Sequence, residues 1–278
     1  MSLVWWNGSL VEPAEIRLDP GDAGFLFGDG LFETLRCDDG TIRDAAAHLD
    51  RLELGLRRLK IELSEGRKAL EEALVAVARG APRPTARLRL TVTRGAAGGP
   101  SRLITAEEAQ LPGEEDYARG VAVRLLPQYR IDSASPLAGL KSTSYQAHRL
   151  ALAHARSQGA WEALLVNEAG LLAEGSRSNA VLVLRDGAFT PPVASGCLPG
   201  TVRRRLLEAG AVAERPFAQE DLAAAQEILL LNSLIGVLPV CRVNSTEVPL
   251  GPRAARLRRL WEELTGPGGL ETSVVRPA

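Results

Sequence analysis

The sequence predicts an α+β fold of two domains, and three observations carry this. At 278 residues, 45% of them hydrophobic, the chain is long enough for more than one small core. Strand-like and helix-like segments mix without regular strand–helix–strand alternation, which disfavours a doubly wound parallel sheet. The stretch 127–140, PQYRIDSASPLAGL, breaks every periodicity with proline, serine and glycine, as a connection does. The expected division is a small N-terminal α/β domain over 1–126, an interdomain loop over 127–140 and a larger C-terminal domain over 141–278.

Each element follows from local pattern. LVWWN and SLVEP flank Asn7-Gly8, a two-residue hairpin signal. LFETLRC alternates, with Phe32, Thr34 and Arg36 on one face and Leu31, Glu33 and Leu35 on the other. Asp39-Gly40 reads as a turn. Leu49, Leu52, Leu56 and Leu59 keep helical spacing over 45–59, and 66–79 forms a second helix. ARLRLTVTR (86–94) reads as a strand with arginines and threonines on one face, followed by strands near 101–106 and 120–126. In the second half a helix is expected over about 143–158. Strands WEALLVN, GLLAE, NAVLVLRDG and AFTPP come next, then a helix after Pro199-Gly200. Strand, helix and the strands EILLLN and GVLPVCRV lead to an amphipathic helix at 252–264. The tail GPGGLETSVVRPA is expected to be flexible.

Composition excludes several classes. The formal net charge is −1, with Lys+Arg 33 against Asp+Glu 34, so no basic footprint for nucleic acid is present. No apolar run is long enough to span a bilayer. The first residues lack the basic and apolar regions of a signal peptide. Cys37, Cys197 and Cys241 match no disulfide or metal spacing, which fits a reducing cytoplasm and no metal centre. Gly24, Gly28 and Gly30 superficially resemble a dinucleotide fingerprint, but a strand rather than a helix follows them.

Lysine use is the most informative feature. Only Lys60, Lys68 and Lys141 are lysines among the 33 basic residues. Lys60 and Lys68 lie in charged helical stretches, whereas Lys141 sits in the nearly uncharged LAGLKSTSYQAH. An amine can lose its proton and condense with a carbonyl; a guanidinium cannot. Glu174 follows 33 residues later in LLAEGSRSNAVLVL, close to Ser178 and Asn179. Gly200 and Thr201 open a helix whose free N–H groups and dipole suit a phosphate. Taken singly, each has an ordinary explanation: Glu174 as a polar hairpin turn, Thr201 as part of a helix cap, Arg51 as a solvated helix face. Together they describe pyridoxal 5′-phosphate: an amine for the aldehyde, a carboxylate for the pyridine nitrogen, and cations plus a helix N-terminus for the phosphate. Tyr145, one helical turn beyond Lys141, is placed to hydrogen-bond the ring hydroxyl.

The ordered set FGDGLFETLR (27–36), HLDRL (48–52), LKSTSY (140–145), LLAEGSRSN (171–179), LPGTVRR (198–204) and NSLIGVLPV (232–240) resembles the class IV aminotransferases, the fold type IV pyridoxal-phosphate enzymes. That resemblance implies a D-amino acid aminotransferase-like fold whose larger domain binds the cofactor, with the site between two domains of a homodimer. It implies Lys141 as the cofactor-bearing lysine and Glu174 as the pyridinium partner. Arg51, Gly200, Thr201, Val202 and Asn232, Ser233, Leu234 would bind phosphate, with Ser178 and Asn179 beside the cofactor. Phe32, Thr34 and Arg36 would line the substrate pocket.

Within the family, NSLIGVLPV, the TRGAAGGP loop (93–100) and the KSTSY spacing are similar to 4-amino-4-deoxychorismate lyase, which releases pyruvate and forms p-aminobenzoate for folate. Thr34 is the candidate for protonating the departing group. Arg36 and Arg94 are candidates for the substrate carboxylates, their ordinary alternative being solvent-facing strand arginines. Two other readings stay open: a branched-chain or D-amino acid transaminase, and a non-catalytic cofactor-binding homologue.

Overall fold

The computed structural model describes residues 3–64 and 66–266; the expected C-terminal tail lies outside them from 267 onward. The elements, in chain order, begin with β1 (Val4–Trp6), β2 (Ser9–Val11), α1 (Ala23–Phe27), β3 (Gly30–Asp38), β4 (Thr41–Ile42), α2 (Ala45–Leu59), α3 (Arg67–Arg79), β5 (Thr85–Ala96), β6 (Gly99–Glu108), α4 (Glu114–Arg119) and β7 (Val121–Ile131). They continue with α5 (Gln146–Ser157), β8 (Glu162–Asn167), β9 (Leu172–Gly175), β10 (Asn179–Leu184), β11 (Gly187–Thr190), α6 (Thr201–Glu208), β12 (Ala213–Glu214), β13 (Glu227–Asn232), β14 (Gly236–Val243), β15 (Thr246–Glu247) and α7 (Pro252–Thr265).

The chain divides into two compact units. Of the described residues, one holds 3–64, 66–110, Lys141–Ser144 and 265–266; the other holds Leu111–Leu140 and Tyr145–Leu264. The first unit is a six-stranded antiparallel sheet in the order β2-β1-β6-β5-β3-β4. Asn7 and Gly8 take the positive φ that a two-residue hairpin demands. The alternation read in LFETLRC holds: Leu35 and Cys37 are buried on one face, with Leu88, Leu90, Val92 and Ile104 from the neighbouring strands. α2 packs on β3, and its leucines 49, 52 and 56 are buried together with Leu70, Leu74 and Val77 of α3.

The second unit is a nine-stranded mixed sheet, β12-β11-β10-β13-β14-β7-β8-β9, with β15 on β14. Its central strands are buried on both faces, which explains their unbroken apolar runs. Leu182, Ile228 and Leu230 enter one core, while Val181, Val183, Leu229 and Leu231 enter another under α6 and α7. A third cluster joins Ala151 and Ala155 of α5 to Ala163 and Leu165 of β8.

Local expectations changed in four places. β7 continues through Pro127 to Ile131, where a loop was expected from 127. The β7–β8 register shifts between Leu125 and Arg130, and such an irregularity tolerates a residue without an N–H. TRGAAGGP is the end of the β5–β6 hairpin rather than a loop. The helix expected from 143 starts at Gln146, because the residues before it are committed to β3. Finally, α1 and α4 were not foreseen. α1 is bounded by Asp22, which accepts the N–H groups of Gly24 and Phe25, and by left-handed Gly28.

Candidate active site

In the first unit, Lys141 is positioned by backbone pairing. Phe32 N donates to Lys141 O at 2.9 Å and Thr143 N to Gly30 O at 2.9 Å. Ser142 bridges Leu31, and Thr143 Oγ1 donates to Gly28 O at 2.6 Å. The segment thus lies like an extra strand along the part of the β3 edge that β4 leaves uncovered. Gly30 allows the close packing on both sides: a Cβ there would stand 2.6 Å from Val92 O of β5 and 3.1 Å from Thr143 Oγ1. The Lys141 Nζ lies 4.6 Å from the centroid of the Phe32 ring, and the Arg89 guanidinium lies 3.9 Å from the same ring. Register places Thr91 opposite Phe32, Arg89 opposite Thr34 and Arg87 opposite Arg36, so these six share a face.

Arg89 does not stand out in the sequence. The alternation of ARLRLTVTR was visible, but only the pairing of β5 with β3 shows which arginine meets Phe32. The Arg94 guanidinium is held by Asp29 at 2.6 Å and by the carbonyls of Leu59 and Lys60, where it ties the end of α2 to the hairpin. Arg36 keeps the expected face, with its Nε on both Asp38 oxygens at 2.9 and 3.0 Å.

Arg51 projects from α2 toward the opposite face of β3. There Glu33 accepts its Nε at 2.8 Å and its Nη2 at 2.6 Å, and also meets His48 Nδ1 at 2.7 Å. Burial alone would push the Glu33 carboxyl up, but the charge and hydrogen bonds of Arg51, with His48, bring it down to about 2. Burial holds the His48 imidazole below its ordinary value.

In the second unit, three segments converge. Glu174, buried on β9, accepts Leu198 N at 2.9 Å on Oε2 and faces His148 Nε2 at 3.4 Å on Oε1. Tyr145 donates its hydroxyl to Ser176 O at 2.6 Å, and its ring stacks on His148 with centroids 4.4 Å apart. Asn179 donates to Leu198 O at 2.8 Å, tying the start of β10 to the entry of α6. Gly200 is the α6 N-cap and brings no side chain to the first-turn N–H groups. A Cβ there would lie 2.0 Å from Asn179 Oδ1. Thr201 and Val202 follow in the first turn, both buried, with Val202 in the apolar core. Asn232 ends β13, donates to Arg177 O at 3.2 Å, and accepts Leu234 N and Ile235 N around the Ser233–Leu234 turn.

Ser178 stands beside a second buried carboxyl. Its hydroxyl donates to Glu162 at 3.2 Å, and Ser176 also donates to that fully buried carboxyl, beside Arg177. Burial raises the Glu162 carboxyl despite these partners. Glu162 therefore shapes the loop that follows Glu174. Among the described residues no three His, Cys, Asp or Glu side chains cluster so as to hold a metal ion, and no helix is long and apolar enough to cross a membrane.

The first unit carries an amine on a sheet edge, a group that suits an aldehyde; the second carries a buried carboxylate held by a backbone N–H and a helix N-terminus without a capping side chain, groups that suit a ring nitrogen and a phosphate. Comparison with known proteins agrees. Residues 30–243 match the family model of amino-transferase class IV, and the chain belongs to that family. It is a pyridoxal 5′-phosphate enzyme of fold type IV. Among relatives, it is 30% identical over 275 residues to a bifunctional aminodeoxychorismate lyase / D-amino acid transaminase of Mycobacterium tuberculosis, covering 91% of this chain and 94% of that one. It is 27% identical over 277 residues to a branched-chain-amino-acid aminotransferase of Pseudomonas aeruginosa, covering 93% and 90%. Among solved structures, a hypothetical aminotransferase from Mycobacterium tuberculosis in its pyridoxal-phosphate-bound form superposes with a TM-score of 0.84 at 26% identity, covering 95% and 98%.

Proposed function

We propose that the protein is a 4-amino-4-deoxychorismate lyase, releasing pyruvate and forming p-aminobenzoate. The observation that carries this reading is the face shared by Phe32, Thr34 and Arg89 beside Lys141. An amine and a guanidinium both lie against one apolar ring, which suits a cyclic substrate that bears carboxylates. Arg89 is the preferred carboxylate partner, because the Nε edge of Arg36 is taken by Asp38.

When bound, pyridoxal phosphate supplies the electron-withdrawing ring. Lys141 Nζ, as a neutral amine, takes the proton from the substrate carbon that bears the amino group. Thr34 Oγ1 delivers a proton to the departing enolpyruvyl group, so the pair of transfers leaves pyruvate and an aromatic product. Glu174 would accept the hydrogen of the ring nitrogen, and Tyr145 would serve the ring hydroxyl. The α6 N-terminus at Gly200–Val202 and the Asn232–Leu234 turn would hold the phosphate, a role that the family resemblance also gives to Arg51. Asn179 and Ser178 keep those loops in place. The exposed Phe25, Leu26 and Phe27 of α1 support a homodimer.

A transaminase remains the second reading, since relatives with that activity are as similar as the lyases. Purified enzyme given 4-amino-4-deoxychorismate alone is expected to release pyruvate without a keto-acid acceptor. Turnover of D-alanine or leucine only, and only with 2-oxoglutarate, would replace the lyase by the transaminase. Lys141→Ala is expected to lose the visible cofactor absorbance and at least about five orders of magnitude in rate, a size common when an enzyme's covalent residue is removed.

A further inference from the structure

His148 belongs to no part of the site described so far, yet it touches two of its side chains. The α5 face that carries Ala151 and Ala155 into the core also carries His148, at the i, i+3, i+7 spacing. That face covers Leu165, and Glu174 is the cross-strand neighbour of Leu165 on β9. Helix register therefore aims the imidazole at the carboxylate. One turn earlier on the same face, Tyr145 stacks on it at an interplanar angle of 9°.

We propose that His148 is a positioning residue for Glu174, an inference that rests on Glu174 serving the cofactor's ring nitrogen. A carboxylate has no hydrogen to give, so Nε2 must carry the hydrogen of the 3.4 Å contact. Leu198 N grips one oxygen and His148 the other, which fixes both the plane and the reach of the carboxylate. Without His148 the carboxylate can turn about its last bond, and its hold on the ring hydrogen weakens. The side chain is 22% exposed against 10% for Glu174, so the contact sits at the edge of the buried region, where losing it is not offset by water on both oxygens.

The test uses apo-enzyme reconstituted with ¹⁵N-ring-labelled pyridoxal phosphate. In the wild type the ring-nitrogen resonance is expected at the protonated position. His148→Phe keeps a ring against Tyr145 but removes Nε2; it is expected to move the resonance toward the unprotonated position, weaken cofactor binding about tenfold, and lower kcat with little change in KM. His148→Gln, whose amide N–H reaches a similar place, is expected to restore most of the wild-type resonance. If His148→Phe melts like unfolded protein, His148→Ala carries the same comparison. A wild-type resonance in His148→Phe or His148→Ala, while Glu174→Gln shifts it, would overturn the proposal. An unshifted resonance in Glu174→Gln itself would instead overturn the role given to Glu174.

Discussion

At the level of single residues, the charged side chains divide by whether geometry has already committed them. Glu33 is the clearest case, since it neutralises Arg51 and accepts from His48 inside the first unit. Its folded value of about 2 lies below its ordinary 4.5, so the stability it adds is present above about pH 4.5 and is lost as the pH falls toward 2. Glu33→Gln is therefore expected to cost about 3 kcal/mol at pH 7, the scale of a broken buried ion pair. In urea unfolding the deficit should shrink as the pH falls toward 2; a deficit constant with pH would contradict this origin. Lys141 stood out as a candidate because lysine is scarce in this chain, and Glu174 because of the small polar residues that follow it between two apolar strands. Arg89, Glu33 and His148 did not: arginine is everywhere in the sequence, and a partner fifteen or more residues away leaves no local trace.

At the level of elements, the strands were legible and their ends were not. Alternation and apolar runs report burial, which is a property of a whole segment. Ends depend on neighbours: Pro127 stays in β7 because the ladder is already irregular there, and residues 141–144 leave α5 because β3 binds them. The junction of β10 and α6 offers a test at this scale. Gly200 has φ −65° and ψ 146°, which any residue adopts, so Gly200→Ala brings no backbone strain. Its methyl group must push Asn179 off the carbonyl of Leu198. Titration of the apo-enzyme is expected to show pyridoxal phosphate binding weakened about tenfold, with a melting temperature within a few degrees of wild type, because removing a glycine also restricts the unfolded chain by about 0.4–1 kcal/mol. Unchanged affinity would remove the 198–201 segment from the proposed cofactor site.

At the level of the whole molecule, the α1 surface is the feature that a single chain does not explain. Phe25, Leu26 and Phe27 are 68%, 51% and 76% exposed, three large apolar side chains in succession. The homodimer reading expects sedimentation at twice the chain mass. Phe25→Ser with Phe27→Ser is expected to shift the protein to single chains, while wild type at twice the mass with an unaffected double variant would place the interface elsewhere.

The amino-acid sequence by itself determined the fold class and the cofactor, and it singled out Lys141 and Glu174 as the candidates to bind it. Those follow from hydrophobic periodicity and from reactive groups that few other residue types can replace. The tertiary structure alone decided that Arg89 rather than Arg94 stands beside Phe32, that Glu33 engages Arg51, and that His148 reaches Glu174. Each of these depends on strand register or helix facing, where a one-residue change turns a side chain to the other side, and such register is set by long-range packing.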